Sequence, residues 1–145
     1  MNIDELMTYD WVLYNGKPIR IEEISRPAQK VSLCNAHQAI MTDVKNIEPI
    51  MLTPEVLMSN EFKTETYKDD VWYECHIDIK EDIWVRTIVI AVEFYESGPY
   101  LTVFDPNGPG LTKCEGKVQY VHKLQNIMRS FTSLMVIENV KQEDL

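Results

Sequence analysis

The chain lacks the long apolar run of a membrane-spanning helix. Nowhere in its 145 residues do about eighteen consecutive apolar residues occur. Residues 1–5 carry neither the basic start nor the apolar stretch of a secretory signal. We therefore expect a soluble protein of the cytoplasm with no membrane partner.

Cysteine is also scarce. The three residues Cys34, Cys75 and Cys114 are spread along the chain, and an odd number cannot all pair with one another. Small secreted domains that depend on disulfides use cysteine far more densely. The spacing predicts reduced, buried thiols.

Basic residues are outnumbered. The chain has 14 Lys and Arg against 23 Asp and Glu, for a formal charge of -9, and the basic residues are scattered. Such a charge repels phosphate over the distances at which electrostatic steering works. We expect no direct nucleic-acid binding, and the acidity favours a protein partner with a basic surface.

What is present is ordinary globular composition, with 45% hydrophobic and 26% charged residues. A chain of this length can bury a core without disulfides or metals. It has the usual size of one domain, although two small units could share it. The composition changes near residues 49–54, which predicts a β unit over residues 1–52 and an α+β unit over residues 53–145, or one compact domain.

The first third predicts short strands joined by tight turns. Residues 10–14 are rich in β-formers, and Asn15 and Gly16 after them tolerate the positive φ of a type I′ hairpin turn. Residues 17–24 alternate apolar and polar positions as a return strand does. Further short runs follow without a helix between them, which indicates a small SH3-like barrel or a curled meander.

A short helix is predicted over residues 54–60. Thr53 can accept from the free amides of the first turn, and Pro54 occupies the first helical position, where its missing N–H costs nothing.

The middle of the chain predicts an antiparallel meander of at least three strands. Residues 71–79 alternate strictly, residues 84–95 are too apolar for an edge strand, and residues 100–104 follow a turn. We place the first of the two turns at Glu81 and Asp82.

An amphipathic helix is predicted over residues 118–134, packed on the meander. Its apolar residues recur at spacings of three and four. They are Val121, Leu124, Ile127, Met128, Phe131 and Leu134. Residues 138–145 are polar and acidic and are expected to fray.

The spacing of Cys and His residues is only a weak signal for a metal site. Cys34 and His37 have a two-residue gap, but Cys75 and His76 are neighbours on a strand and so point to opposite faces. We predict no metal and no cofactor.

Glu74, His76 and Asp78 share one face of a predicted strand. A histidine flanked by carboxylates could serve as a general base. Alternate residues of a strand are roughly 6.5–7 Å apart, beyond direct hydrogen bonding for most rotamers. The pattern therefore favours a solvated strand face over a catalytic site, and these residues remain candidates.

Two other chemistries lack their signatures. No Gly-x-Ser-x-Gly nucleophile turn occurs. Residues 107–110 contain glycines, but Pro109 removes an amide that an anion would need, so residues 105–110 are interpreted as a plain loop.

Three stretches carry a resemblance. They are Asp-Trp-Val and Tyr-Asn-Gly at residues 10–12 and 14–16, Ile-Glu-Pro-Ile and Leu-Thr-Pro-Glu at 47–50 and 52–55, and Tyr-Val-His-Lys-Leu-Gln-Asn at 120–126. In this order they resemble a family of small uncharacterised proteins of gut bacteria and their phages or other mobile elements. The resemblance implies no activity and so no catalytic residue.

The resemblance also implies glycine at two positions where this chain has Tyr9 and Glu61. A left-handed helix stop at a non-glycine residue costs on the order of 1 kcal/mol. Either Asn60 takes that conformation or the helix ends differently.

The 120–126 motif admits two interpretations. His122 and Asn126 could fix a strand-to-helix junction by hydrogen bonds to backbone, which we favour. Alternatively Tyr120, His122 and Asn126 form a recognition surface on the helix.

The leading hypothesis is that the chain is a noncatalytic protein-binding or accessory protein of a phage or mobile element. It could also form a homodimer. The alternatives are a small enzyme that uses the Glu74, His76 and Asp78 face, and an acidic inhibitor that mimics nucleic acid.

Overall fold

The structure, a computed structural model, describes residues 1–34, 36–108, 112–131 and 137–145. Its class is α+β, as predicted. Two five-stranded antiparallel sheets and two short α-helices make up most of this part of the chain.

The first sheet holds five strands in the order β4-β3-β2-β1-β5. Their bounds are β1 Trp11–Tyr14, β2 Lys17–Ser25, β3 Lys30–Cys34, β4 Ile40–Asp43 and β5 Ile47–Pro49. Asn15 and Gly16 both have positive φ, 52° and 72°, and Tyr14 pairs with Lys17 across them. The predicted hairpin turn is therefore confirmed.

This sheet does not close into a barrel. Closure would require its two edge strands, β4 and β5, to pair, and within the described ranges they do not. A single 3-10 turn, Val44–Asn46, joins them, and among the described strands β5 pairs only with β1. Of the two predicted forms, the SH3-like barrel is not confirmed in this part of the chain, whereas β1 to β4 do form a meander, to which β5 adds beside β1.

Helix α1, Pro54–Met58, begins as predicted. The Thr53 hydroxyl accepts from the Val56 amide at 3.2 Å. The helix ends earlier than predicted, and the left-handed residue is Glu61, with φ 66°, rather than Asn60. The Phe62 amide donates to the Leu57 carbonyl at 3.2 Å, the bond that closes a Schellman-type helix end.

The second sheet is a meander in sequence order. Its strands are β6 Lys63–Tyr67, β7 Asp70–Glu81, β8 Trp84–Tyr95, β9 Gly98–Phe104 and β10 Thr112–Lys117. The predicted antiparallel meander is confirmed, and β8 is its central strand. The sequence did not predict β10, whose residues are weak β-formers apart from its threonine.

Helix α2, Val121–Arg129, is shorter than the predicted 118–134. Val118 instead continues the sheet edge, since its amide donates to the Pro99 carbonyl at 3.0 Å. Leu134, the last residue of the predicted stripe, lies outside the described residues. No helix in the described ranges is long and apolar enough to cross a membrane.

The C-terminal residues do not fray as predicted. Ile137 and Val140 are buried, and a 3-10 helix, Gln142–Asp144, ends near α1. The Thr53 hydroxyl donates to the Asp144 carbonyl at 2.9 Å. Burial of Ile137 and Val140 and hydrogen bonds to the backbone of this segment together hold it in place.

Two hydrophobic cores lie on either side of β1. Val12 and Tyr14 belong to the core of the first sheet, whereas Trp11 and Leu13 pack against the larger core under the second sheet. That larger core also contains Val121, Leu124 and Met128 of α2. The division of the chain at residue 52 stays a prediction.

Candidate functional site

The face of the second sheet turned away from its core holds a polar and aromatic surface. Strand register aligns its residues in three cross-strand rows on β7, β8 and β9. The rows are Trp72, Glu93 and Tyr100; Glu74, Ala91 and Thr102; and His76, Val89 and Phe104. We call these residues, together with Tyr95, the outer face.

Glu74 lies in the middle row of the outer face, on β7. Its carboxylate accepts from the Trp72 indole Nε1 at 2.9 Å, and its other oxygen is 2.9 Å from His76 Nε2. Burial would raise the pKa of Glu74, but the hydrogen bonds from Trp72 and His76 outweigh it, and the pKa is lowered. The side chain is 20% exposed, so an ionised carboxylate is held in place within reach of a ligand.

The predicted Glu74, His76 and Asp78 group is brought together only in part. Glu74 and His76 are in contact at 2.9 Å, so their rotamers are among those that bring alternate side chains of a strand within hydrogen-bond reach. Asp78 instead accepts from the Thr87 hydroxyl at 2.8 Å. No triad forms, and the His76 side chain is 55% exposed.

An aromatic depression of about 340 Å³ lies beside Glu74. Its lining includes Trp72, Glu93, Tyr95, Tyr100 and Phe104. Tyr95 and Tyr100 meet edge to face with ring centroids 6.3 Å apart, and the Tyr95 hydroxyl donates to Glu93. Glu93 is thus a second carboxylate held by an aromatic neighbour.

A second depression, of about 700 Å³, lies on the other side of Glu74 toward β6. Among the described residues, its lining includes three carboxylates, Glu61, Glu65 and Glu74, and one lysine, Lys63. Glu74 therefore borders both depressions, and in each the carboxylates outnumber the Lys and Arg side chains among the described lining residues.

The cysteines do not form a metal centre. Among the described residues no group of three or more His, Cys, Asp or Glu side chains converges as metal ligands do. The prediction of buried thiols was wrong for Cys34, which is exposed, while Cys75 and Cys114 are half-buried. Burial and the nearby charge of Glu61 raise the pKa of Cys75, which keeps it a thiol.

The side chains of the 120–126 motif do not hold the strand-to-helix junction as we predicted, but contact the interior of the protein. Backbone bonds hold that junction: the Val121 amide donates to the Ile50 carbonyl at 2.9 Å. His122 is 1% exposed, stacks on the Tyr120 ring at 5.7 Å, and makes no hydrogen bond to the described residues. Burial, aided by the charge of Lys123, lowers the pKa of His122 to about 4.

Asn126 does bind backbone, but in a different segment. Its amide donates to the Glu5 carbonyl at 2.9 Å. The next residue in the motif, Gln125, accepts from the Trp11 amide at 3.0 Å and donates to the Tyr9 carbonyl at 3.2 Å. Helix α2 therefore holds the chain that leads into β1.

A buried ion pair completes this contact. Asp10 is fully buried and accepts from Arg129 Nη1 at 2.9 Å and from the Met7 amide at 2.8 Å. Burial raises the pKa of Asp10 to about 6, against the opposing effects of Met7, Arg129 and Asn126. Sequence reasoning missed Asp10 and Arg129, because 119 positions separate them.

Comparison of the chain with protein-family models, with curated proteins and with solved structures found no match.

Proposed function

We propose that the chain is a noncatalytic binding protein whose outer face holds a basic segment of a protein partner. The partner class follows the acidity of the chain, and an accessory role in a phage or mobile element is the setting that the resemblance implies. The observation that carries the proposal is Glu74, an ionised carboxylate held by Trp72 and His76 between two depressions.

The chemistry of the face fits a lysine or arginine side chain. Such a side chain has an apolar stem and a charged head. Trp72, Tyr100 and Phe104 offer ring surfaces to the stem, and Glu74 and Glu93 offer charge to the head. A cation over an aromatic ring gains about 0.5–2 kcal/mol, and more where water is excluded.

Fixed carboxylates favour this kind of ligand over a neutral one. Glu74 and Glu93 each accept a hydrogen bond from an aromatic neighbour, which limits their rotamers before a ligand arrives. A pre-organised site loses less side-chain entropy on binding.

The test is titration of the isotope-labelled protein with a blocked peptide that alternates Lys and Gly, followed by NMR. We expect the indole N–H of Trp72 and the amides of β7 and β8 to shift. Glu74→Gln should weaken binding about tenfold, the effect of one charge-assisted contact.

The matched control is Glu48→Gln, which removes the same charge from an exposed position on the first sheet. Equal weakening by Glu48→Gln and Glu74→Gln would mean that net charge alone attracts the peptide. That result, or shifts confined to the first sheet, would refute the outer face as the site.

One observation favours the enzyme hypothesis as a second candidate, namely the 2.9 Å contact between His76 and Glu74. A carboxylate that orients an imidazole is common in general-base catalysis. His76→Gln keeps a donor for Glu74 and removes the base. The binding hypothesis expects peptide affinity to survive this change, whereas the enzyme hypothesis expects turnover of simple ester or phosphoester substrates that His76→Gln abolishes.

We also propose two finer features of the fold. The first sheet is an open relative of an SH3-like unit, supported by its strand order and by the 3-10 turn that precedes β5. Helix α2 is the predicted amphipathic helix on the inner face of the second sheet, supported by Leu124 and Met128, which share a buried cluster with Ile90 and Val103.

A further inference from the structure

A groove of about 630 Å³ on the first sheet is separate from the outer face. Its apolar lining is Trp11, Tyr14, Pro18, Ile19 and Ile40. This volume lies within the range typical of ligand pockets. We call it the first-sheet groove.

The charge of the groove is opposite to that of the chain. Lys17 and Arg20 line it, and no carboxylate does so among the described residues. Neither cation has a carboxylate partner in the described ranges: Lys17 makes no ion pair there, and Arg20 donates to the Glu138 carbonyl.

Two buried donors in the groove also lack acceptors. Trp11 and Arg20 are register partners on β1 and β2, and the guanidinium lies 4.9 Å from the centroid of the indole ring. Trp11 Nε1 and Arg20 Nε are buried and have no hydrogen-bond partner in the part of the chain that the structure describes. Both atoms lie beneath the surface, so a ligand in the groove would meet the exposed parts of the Trp11 and Arg20 side chains rather than these two atoms.

We propose that the first-sheet groove binds an acidic segment of a protein partner in which Asp or Glu adjoins an aromatic or aliphatic residue. Carboxylate oxygens match Lys17 and Arg20, and the neighbouring apolar side chain matches Tyr14, Ile19 and Ile40. Planar guanidinium and carboxylate groups have complementary hydrogen-bonding geometry. This site is independent of the outer face, which binds the opposite charge.

The probe is a blocked peptide that contains Asp-Leu-Phe-Asp, with the Asn-Leu-Phe-Asn peptide as its neutral match. In NMR titrations, the acidic peptide should shift the indole N–H of Trp11 and the Nε–H of Arg20, and it should bind about tenfold more tightly than the neutral one. Cys34 borders the groove and is exposed, so its alkylation by iodoacetamide should slow when the acidic peptide is bound.

Lys17→Gln should weaken the acidic peptide about tenfold and leave the neutral peptide unchanged. Lys17 is exposed, so the variant should fold normally. Lys45→Gln makes the same charge change at an exposed position outside the groove. It should change the affinity for the acidic peptide less than twofold, which is the effect of the altered net charge alone.

Three results would overturn the proposal. Equal binding of the two peptides would show an apolar groove without carboxylate recognition. Equal weakening by the Lys17 and Lys45 variants would show attraction by overall charge. Full competition by acetate at the peptide's own concentration would show a site for a small anion rather than for a protein segment.

Discussion

The side-chain amide of Asn60 binds both backbone groups of Asn139, a residue 79 positions away. Its Nδ2 donates to the Asn139 carbonyl at 2.6 Å, and its Oδ1 accepts from the Asn139 amide at 2.9 Å. The same side chain also donates to the Val56 carbonyl and accepts from the Glu138 amide. One amide thus replaces a pair of strand hydrogen bonds and fixes the C-terminal segment to α1.

Asn60→Ala should lower the free energy of unfolding by about 2–3 kcal/mol, because backbone donors and acceptors at a buried contact lose their partner. Asn60→Asp keeps the acceptor oxygen but not the Nδ2 donor, so it should also destabilise the chain. Urea denaturation at neutral pH gives both values. Asn46→Ala, at an exposed asparagine, is the control, and a loss as large as that of Asn60→Ala would contradict this prediction.

At the left-handed residues, glycine should be more stable than alanine. Tyr9 and Glu61 have φ of 69° and 66°, which residues other than Gly, Asn and Asp rarely adopt. Tyr9→Gly should be about 0.5–1 kcal/mol more stable than Tyr9→Ala, since both remove the side chain but only glycine relieves the strain. The same comparison at Glu61, by thermal denaturation, repeats the test. An alanine variant as stable as the glycine variant would show that backbone strain is not the cause.

Acidification should weaken the fold through His122. Its pKa of about 4 lies below the ordinary 6.5, so between these values the unfolded chain binds more protons than the folded one. The contribution is present above pH 6.5 and is lost as the pH falls toward 4, on the order of 3 kcal/mol in all. His122→Phe should therefore gain stability relative to the parent as the pH is lowered.

Urea denaturation at a series of pH values from 7 to 4 measures His122→Phe and the parent chain. A constant difference between His122→Phe and the parent would rule out the proposed desolvation of His122.

Asp10 should give a pH dependence of opposite sign. Its pKa is raised from 3.8 to about 6, so its contribution is present below pH 3.8 and is lost as the pH rises through 6. Asp10→Asn cannot titrate, so its stability relative to the parent should improve by on the order of 3 kcal/mol between pH 4 and pH 7. Urea denaturation of Asp10→Asn and of the parent across this pH range measures the effect, and a difference that stays constant from pH 4 to pH 7 would contradict it. In the parent chain the two effects oppose each other between pH 4 and 6, and only the variants separate them.

Local chemistry predicted several elements from sequence. The Asn15 and Gly16 turn and the Thr53 cap need only neighbouring residues, and the alternation of residues 71–79 needs only the period of a strand. These features form where they were expected. What failed was contact between distant segments, such as Asn60 with Asn139, for which one sequence has no signal.

Register explains why the outer face was missed. The predicted turn at Glu81 and Asp82 would pair Trp72 with Ala91. The observed turn, at Asp82 and Ile83, pairs Trp72 with Glu93. A shift of one residue at the turn moves every cross-strand neighbour by two positions and leaves the faces unchanged. The sequence therefore predicted which side chains share a face but not which ones touch.

The Asn15 and Gly16 turn also affects packing, because it sets the register of strand β1. Because successive side chains of β1 enter different cores, the turn also decides which of the two interiors receives the indole of Trp11 and which receives Val12. If β1 slid by one residue against β2, the bulky ring would enter the smaller interior and leave a void in the larger. The hairpin turn therefore determines which side chains β1 contributes to each of the two hydrophobic cores. An insertion in this turn should disorder the two sheets together.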